Sequence, residues 1–209
     1  MPAPVPQLPE PDPVAATDGA DTQPLTGVRV VTIAVNLPGP WAAWRLRALG
    51  AEVLKVEPPT GDPMAAFTRD WYDVMAAGQE ILTLDLKLPT DQAILGGRLA
   101  TADIFITSHR PSVLDRLGLS KDALRQRFPH LVQVAIVGHA GDEADVAGHD
   151  LTYQAVSGTL IPPAMPTVLV ADLSGAERAV QEALAGLLLR ARIGVGGYRE
   201  VALATGAYE

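Results

Sequence analysis

Val28-Arg29-Val30-Val31-Thr32-Ile33-Ala34, then Pro38-Gly39-Pro40, then a run through Ala42, Trp44 and Leu46 to Leu49, then Gly50 and Glu52-Val53-Leu54-Lys55-Val56: this order decides the fold. The first run is almost wholly apolar and β-branched, as a strand buried on both faces must be. Pro40 suits the first turn of a helix, where its missing N–H costs nothing. Gly50 suits the left-handed residue that closes a helix. The second β-branched run is closed by Pro58-Pro59. Strand, helix, strand with such short joints is a βαβ unit, which implies a parallel sheet and a right-handed crossover.

The same alternation continues outward from that unit. Ile81-Leu82-Thr83-Leu84-Asp85-Leu86 reads as a strand, residues 91–99 as a helix and Asp103-Ile104-Phe105-Ile106-Thr107 as a strand. Short helices follow over 113–117 and 121–127, and Leu131 to Val137 is the strongest β-forming run. A long helix opens at Ser174 or Gly175 and reaches Arg192, with Val180, Leu184, Leu187 and Leu188 spaced for one buried face. Tyr198 to Ala204 makes a last strand. Residues 61–78 show no periodicity and read as a long loop carrying Trp71 and Tyr72. Met1 to Pro24 is rich in Pro, Ala and Asp and reads as a disordered arm, so the folded part begins near Leu25. The expected fold class is therefore α/β: an open, mostly parallel Rossmann-like sheet flanked by helices, in one domain over 25–209.

Composition narrows the function. The chain has 209 residues and a formal charge of -8, which argues against a nucleic-acid binder with its usual basic face. The absence of cysteine excludes disulfides, thiolate metal sites and cysteine nucleophiles, and fits a reducing, cytoplasmic setting. No apolar run approaches the ~20 residues of a membrane helix. The first turn, Asn36-Leu37-Pro38-Gly39-Pro40, lacks the G-x-G-x-x-G spacing, so NAD or flavin is not expected. The four histidines lack metal-ligand spacing, and no metal is expected. His109 and His130 read as surface or singly hydrogen-bonded histidines.

Two residues stand out for chemistry. His149 lies between Gly148 and Asp150, where Asp150 reads as the cap of a helix starting at Leu151. Asp172 follows the apolar run Thr167-Val168-Leu169-Val170-Ala171. A carboxylate at a helix N-terminus suits a nucleophile or base, but it also suits a plain cap, with Ser174 as competitor. Arg110, before Pro111, ends a strand and opens a helix, a good place to meet a phosphate or carboxylate.

Taken in order, these residues resemble the family III CoA-transferases, which include the α-methylacyl-CoA racemases. The resemblance runs from Leu25-Thr26-Gly27-Val28-Arg29-Val30 and Gly39-Pro40-Trp41-Ala42 through Leu49 to Pro59 and Gly61-Asp62-Pro63. It continues in Leu82 to Lys87 and Arg110 to Leu119. It implies coenzyme A as an acyl-CoA substrate, with no metal, NAD or flavin. Asp172 takes the place of the transferase aspartate, which attacks the thioester to give an acyl anhydride and then an enzyme–CoA thioester. His149 matches the racemase histidine, with Asp172 its partner in an acid/base pair. Arg110 matches a CoA-holding arginine, and Arg69, Lys55, Gly39 and Pro40 fall in the same CoA-binding part of the pattern.

Two departures remove cations: Met75 to Ile81 replaces a basic, Asn-containing segment, and Ile193-Gly194-Val195-Gly196-Gly197 replaces a Thr-Gly-basic-Gly turn. Family members continue into a smaller second domain and form interlocked dimers. The resemblance therefore implies the large-domain half, lacking that second domain, in a homodimer or a hetero-oligomer with a chain supplying the missing half. Three readings stay open: CoA-transferase, racemase, or a subunit silent without its partner.

Overall fold

The computed structural model describes residues 23–208. The arm expected over 1–24 lies outside the described residues except for Gln23 and Pro24, which enter a turn closed by Thr26 N donating to Gln23 O at 3.0 Å. Leu25, where folding was expected to begin, is buried. Six strands follow: β1 (Arg29–Thr32), β2 (Glu52–Glu57), β3 (Glu80–Thr83), β4 (Ile104–Thr107), β5 (Val132–Val137) and β6 (Tyr198–Ala202). They form one sheet in the order β3-β2-β1-β4-β5-β6, every neighbouring pair parallel. That is the order of a doubly wound sheet, whose direction of winding reverses between β1 and β4.

Alternation along the strands builds two cores. Val30, Val53, Ile104, Val132 and Val134 face α1 (Pro38–Ala48) and α8 (Val170–Ile193). Val31, Leu54, Val56 and Phe105 face α4 (Pro89–Leu99), α5 (Pro111–Arg116) and α6 (Lys121–Arg127). Gly39 is needed where α1 leaves β1, because a Cβ there would stand 2.5 Å from Ala34 Cβ. Among the described residues no helix is long and apolar enough to cross a membrane.

Several elements differ from the sequence reading. The expected loop over 61–78 holds two helices, α2 (Met64–Phe67) and α3 (Arg69–Ala76), which bury Met64 and Met75 against Leu37 and Trp44. Both are too short for a 3.6-residue period to show. β3 stops at Thr83, and β6 gives way at Leu203 to a short helix, α9 (Leu203–Gly206).

The long helix begins four residues early, at Val170, and Ser174 is not its cap. Ser174 Oγ instead bonds Val170 O at 2.6 Å and Gly206 O at 2.9 Å, tying α9 to α8. The buried face of α8 is a stripe of small residues, Gly175, Ala176, Ala179, Ala183 and Gly186, with Val180 beside it. Leu188 lies about 80° round from Val180 at 100° per residue, on the far side from that stripe, and is 66% exposed. Small side chains let the helix settle close on the sheet, and their low hydrophobicity hid the face that packs.

Candidate active site

Where the winding reverses, the C-terminal ends of β1, β4 and β5 open into a cavity of about 140 Å³. Its wall takes Asn36 and Pro38 from the β1–α1 turn, His109 and Arg110 from the end of β4, and Gly138 from the end of β5. His149 and Tyr153 come from the start of α7 (Asp150–Ser157), and Asp172 from the first turn of α8. Asp172, His149 and Arg110, far apart in sequence, thus meet at one pocket. Ligands in open α/β sheets occupy this crevice because strand ends and helix N-termini converge there.

The cap question is settled by a neighbour. Asp150 does not cap α7; His149 holds the N-cap position and Asp150 is the first helical residue. Its buried carboxylate accepts from the Asp172 backbone N at 3.0 Å through Oδ1, and from Gln154 Nε2 through Oδ2. Gln154 Nε2 also donates to Val168 O at 3.0 Å. Asp150 therefore satisfies a first-turn N–H of α8, the task a local cap would perform. The Asp172 carboxyl is left to face the pocket. Burial, and then the Asp150 carboxylate, push its pKa up to about 7.

The same field reaches Tyr153, whose phenol is raised first by burial and then by Asp172, with Arg110 pulling the other way. Tyr153 packs edge-on against His139, 5.4 Å between ring centres. Gly148 and Gly138 leave room for its ring; a Cβ at Gly148 would stand 2.5 Å from Tyr153 Cε1. His109 is half-buried, its imidazole pKa lowered by burial, with Nδ1 3.3 Å from Thr107 Oγ1. A second, mostly apolar cleft of about 300 Å³ adjoins the pocket, shares Val35 and His109 with it, and carries Lys87.

The other expected CoA contacts do not reach the Asp172 pocket. Lys55 is 1% exposed and bound between Glu57 and Asp62 at 2.7 and 2.6 Å, so it serves a buried ion cluster and not a ligand surface. Arg69 is exposed on α3 and engages both oxygens of Asp73. Gly39 and Pro40 are buried in the first turn of α1, and Pro38 meets the pocket in their place. Sequence reasoning missed His109 and Tyr153. The position of His109 just past a central strand end was an available signal. Tyr153 sits at an ordinary core position of α7, and nothing local marks it.

The family described as CoA-transferase family III matches residues 25–209. The chain belongs to CoA-transferase family III. It is similar to the succinyl-CoA–D-citramalate CoA-transferase of Chloroflexus aurantiacus, 31% identical over 88% of this chain and 50% of that protein. It is also similar to the α-methylacyl-CoA racemase of Homo sapiens, 32% identical over 72% of this chain and 40% of that one. A crystal structure of a CAIB/BAIF family protein from Brucella suis superposes with a TM-score of 0.82 at 29% identity, covering 90% of this chain and 55% of that one. The chain thus spans about half the length of these family III relatives.

Proposed function

We propose that this chain carries the nucleophile-bearing domain of a CoA-transferase that moves CoA between carboxylic acids. The carrying observation is Asp172: a carboxyl released from capping by Asp150, turned to a pocket at the sheet's switch point, and made unusually basic by burial and a neighbouring carboxylate. Ionised Asp172 attacks the thioester carbonyl carbon, and the C–S bond breaks as CoA leaves as thiolate, giving an acyl aspartyl anhydride. The thiolate then attacks the aspartyl carbonyl and expels the acyl carboxylate, leaving CoA on Asp172 as a thioester. The acceptor carboxylate reverses both steps and departs as its CoA ester. A more basic carboxylate is a stronger nucleophile, at the cost of being partly protonated near neutral pH.

Arg110 is suited to a phosphate or carboxylate by its fixed fork of donors. The adjoining apolar cleft with Lys87 offers room for the rest of CoA. No metal, NAD or flavin enters this scheme. A cytoplasmic location and a homodimer or hetero-oligomer go with the same reading.

One observation favours racemase chemistry as a second reading: His149 and Asp172 line a single pocket, and a group titrating near neutral pH moves protons well. Calorimetric titration with CoA and acetyl-CoA tests the shared premise. Saturable binding is expected, weakened about tenfold to a hundredfold by Arg110→Ala if that guanidinium makes a charge-assisted bond. Absence of binding, alone and with a candidate partner chain, contradicts it. Exchange of the α-proton of a 2-methylacyl-CoA in deuterated water, lost in His149→Ala, marks the racemase instead.

A further inference from the structure

Outside the Asp172 pocket, the most elaborate polar arrangement lies buried beneath the loop that follows β2. Lys55 Nζ stands 2.6 Å from Asp62 Oδ2 and 2.7 Å from Glu57 Oε1, and the side chains of Lys55 and Asp62 are 1% and 0% exposed. Tyr72 OH donates to Glu57 Oε1 at 2.7 Å, and the Tyr72 ring lies 4.6 Å from Nζ. The second oxygen of Asp62 reaches further. Oδ1 accepts the amide of Met64 at 2.9 Å and that of Asn36 at 3.0 Å.

The Asn36 bond crosses from the β2 loop to the β1–α1 turn. Among the described residues Asn36 is the one non-glycine residue with a left-handed backbone, at φ 64°. Only Asn, Asp and His visit that region with any ease, and it still costs more than the right-handed or extended alternatives. Asn36 also lines the pocket that holds Asp172. A buried ion cluster is weak as a source of stability, because desolvation offsets its attraction. What this cluster fixes is direction: Lys55 holds one oxygen of Asp62, so the other points at the Asn36 amide.

We propose that Asp62, anchored by Lys55, is a positioning residue for the active pocket: its Oδ1 holds Asn36 in the left-handed conformation and so sets the turn that forms one wall of the site. Freed of that bond, the Asn36 peptide relaxes toward the common backbone regions and turns away from the wall. The functional part of this inference rests on reading the pocket as an acyl-CoA site.

The test is a double-mutant cycle on the full chain, with acetyl-CoA affinity by calorimetry and hydrogen exchange at the Asn36 amide as readouts. Asp62→Ala is expected to speed exchange at that amide and to weaken acetyl-CoA binding about tenfold or more, as loss of a bond to a charged acceptor does. Glycine adopts positive φ freely, so in the Asn36→Gly background the same Asp62→Ala change is expected to cost less than about threefold. An equal loss in both backgrounds, or none in either, overturns the proposal, since a merely structural aspartate would be indifferent to residue 36. Should Asp62→Ala fail to fold, Asp62→Val, which fills more of the space but offers the Asn36 amide no acceptor, is carried through the same cycle. If the unaltered chain binds no acetyl-CoA while the Asn36 amide still responds to Asp62, the acyl-CoA reading fails and the positioning survives. The reverse pattern overturns the positioning alone.

Discussion

Asp62 and Asp172 both lie near the C-terminal edge of the sheet, and the molecule treats the two carboxylates in opposite ways. Asp62, in the half built from β1 to β3, is sealed from solvent with a lysine on one oxygen and two backbone amides on the other. Asp172, in the half built from β4 to β6 and α8, has burial and Asp150, not a cation, as the influences on its charge among the described residues. Its near neighbour is another carboxylate, Asp150, and its pKa rises to about 7. The contrast teaches how to tell a structural charge from a chemical one. Where both oxygens are held by a cation and backbone amides the group is spoken for, and where a carboxylate is desolvated against its own kind it is available to react.

The sharpest way to break the comparison is to neutralise each region in turn. Asp172→Asn should lower CoA transfer by about a thousandfold or more, read as kcat/KM, while the chain stays folded. Lys55→Met should strike stability first, with a smaller loss at the pocket through the Asp62–Asn36 bond. It leaves Asp62 and Glu57 buried against each other, costing about 3–5 kcal/mol of stability by denaturant unfolding. If Lys55→Met unfolds no more easily than the parent, the paired region is not what we describe.

The pH dependence separates the regions further. Asp172 is raised in the folded state above its ordinary value of 3.8, so the folded chain holds a proton there that the unfolded chain releases. Stability from this group is therefore full below about pH 4 and lost as pH rises to about 7, then level. Asp172→Asn should remove that slope and raise stability at pH 8 by about 2 kcal/mol, allowing for partial contact with solvent. Activity should move the other way, rising with pH through about 7 as Asp172 ionises. A smaller effect concerns the pocket wall. Gly148→Ala drives a Cβ into the Tyr153 ring and should cost about 1–2 kcal/mol in thermal unfolding, with a matching loss of activity as the ring shifts.

Much of this was legible in the sequence, for identifiable reasons. Strands buried on both faces must be continuous apolar runs, so β1, β2, β4 and β5 announce themselves, and α6 falls at Lys121–Arg127 as read. Asp172, His149 and Arg110 could be singled out because each sits at an element boundary. What was hidden depends on contacts across the fold. Thr167 to Ala171 reads as an apolar run ahead of the helix, yet Val170 and Ala171 are helical, because the α8 cap is supplied by Asp150 from another helix. Lys55 reads as a cation looking for CoA because its partner Asp62 returns only after the Pro58–Gly61 turn. Tyr153 meets the pocket because of how α7 is set on the sheet, which no local pattern records.

The most direct test of Asp172 as the acceptor of CoA is peptide mass spectrometry of the chain incubated with an acyl-CoA and quenched in acid. The account predicts CoA joined through a thioester to the peptide containing Asp172, abolished in Asp172→Asn. An adduct on another residue, or one that persists in Asp172→Asn, would contradict it.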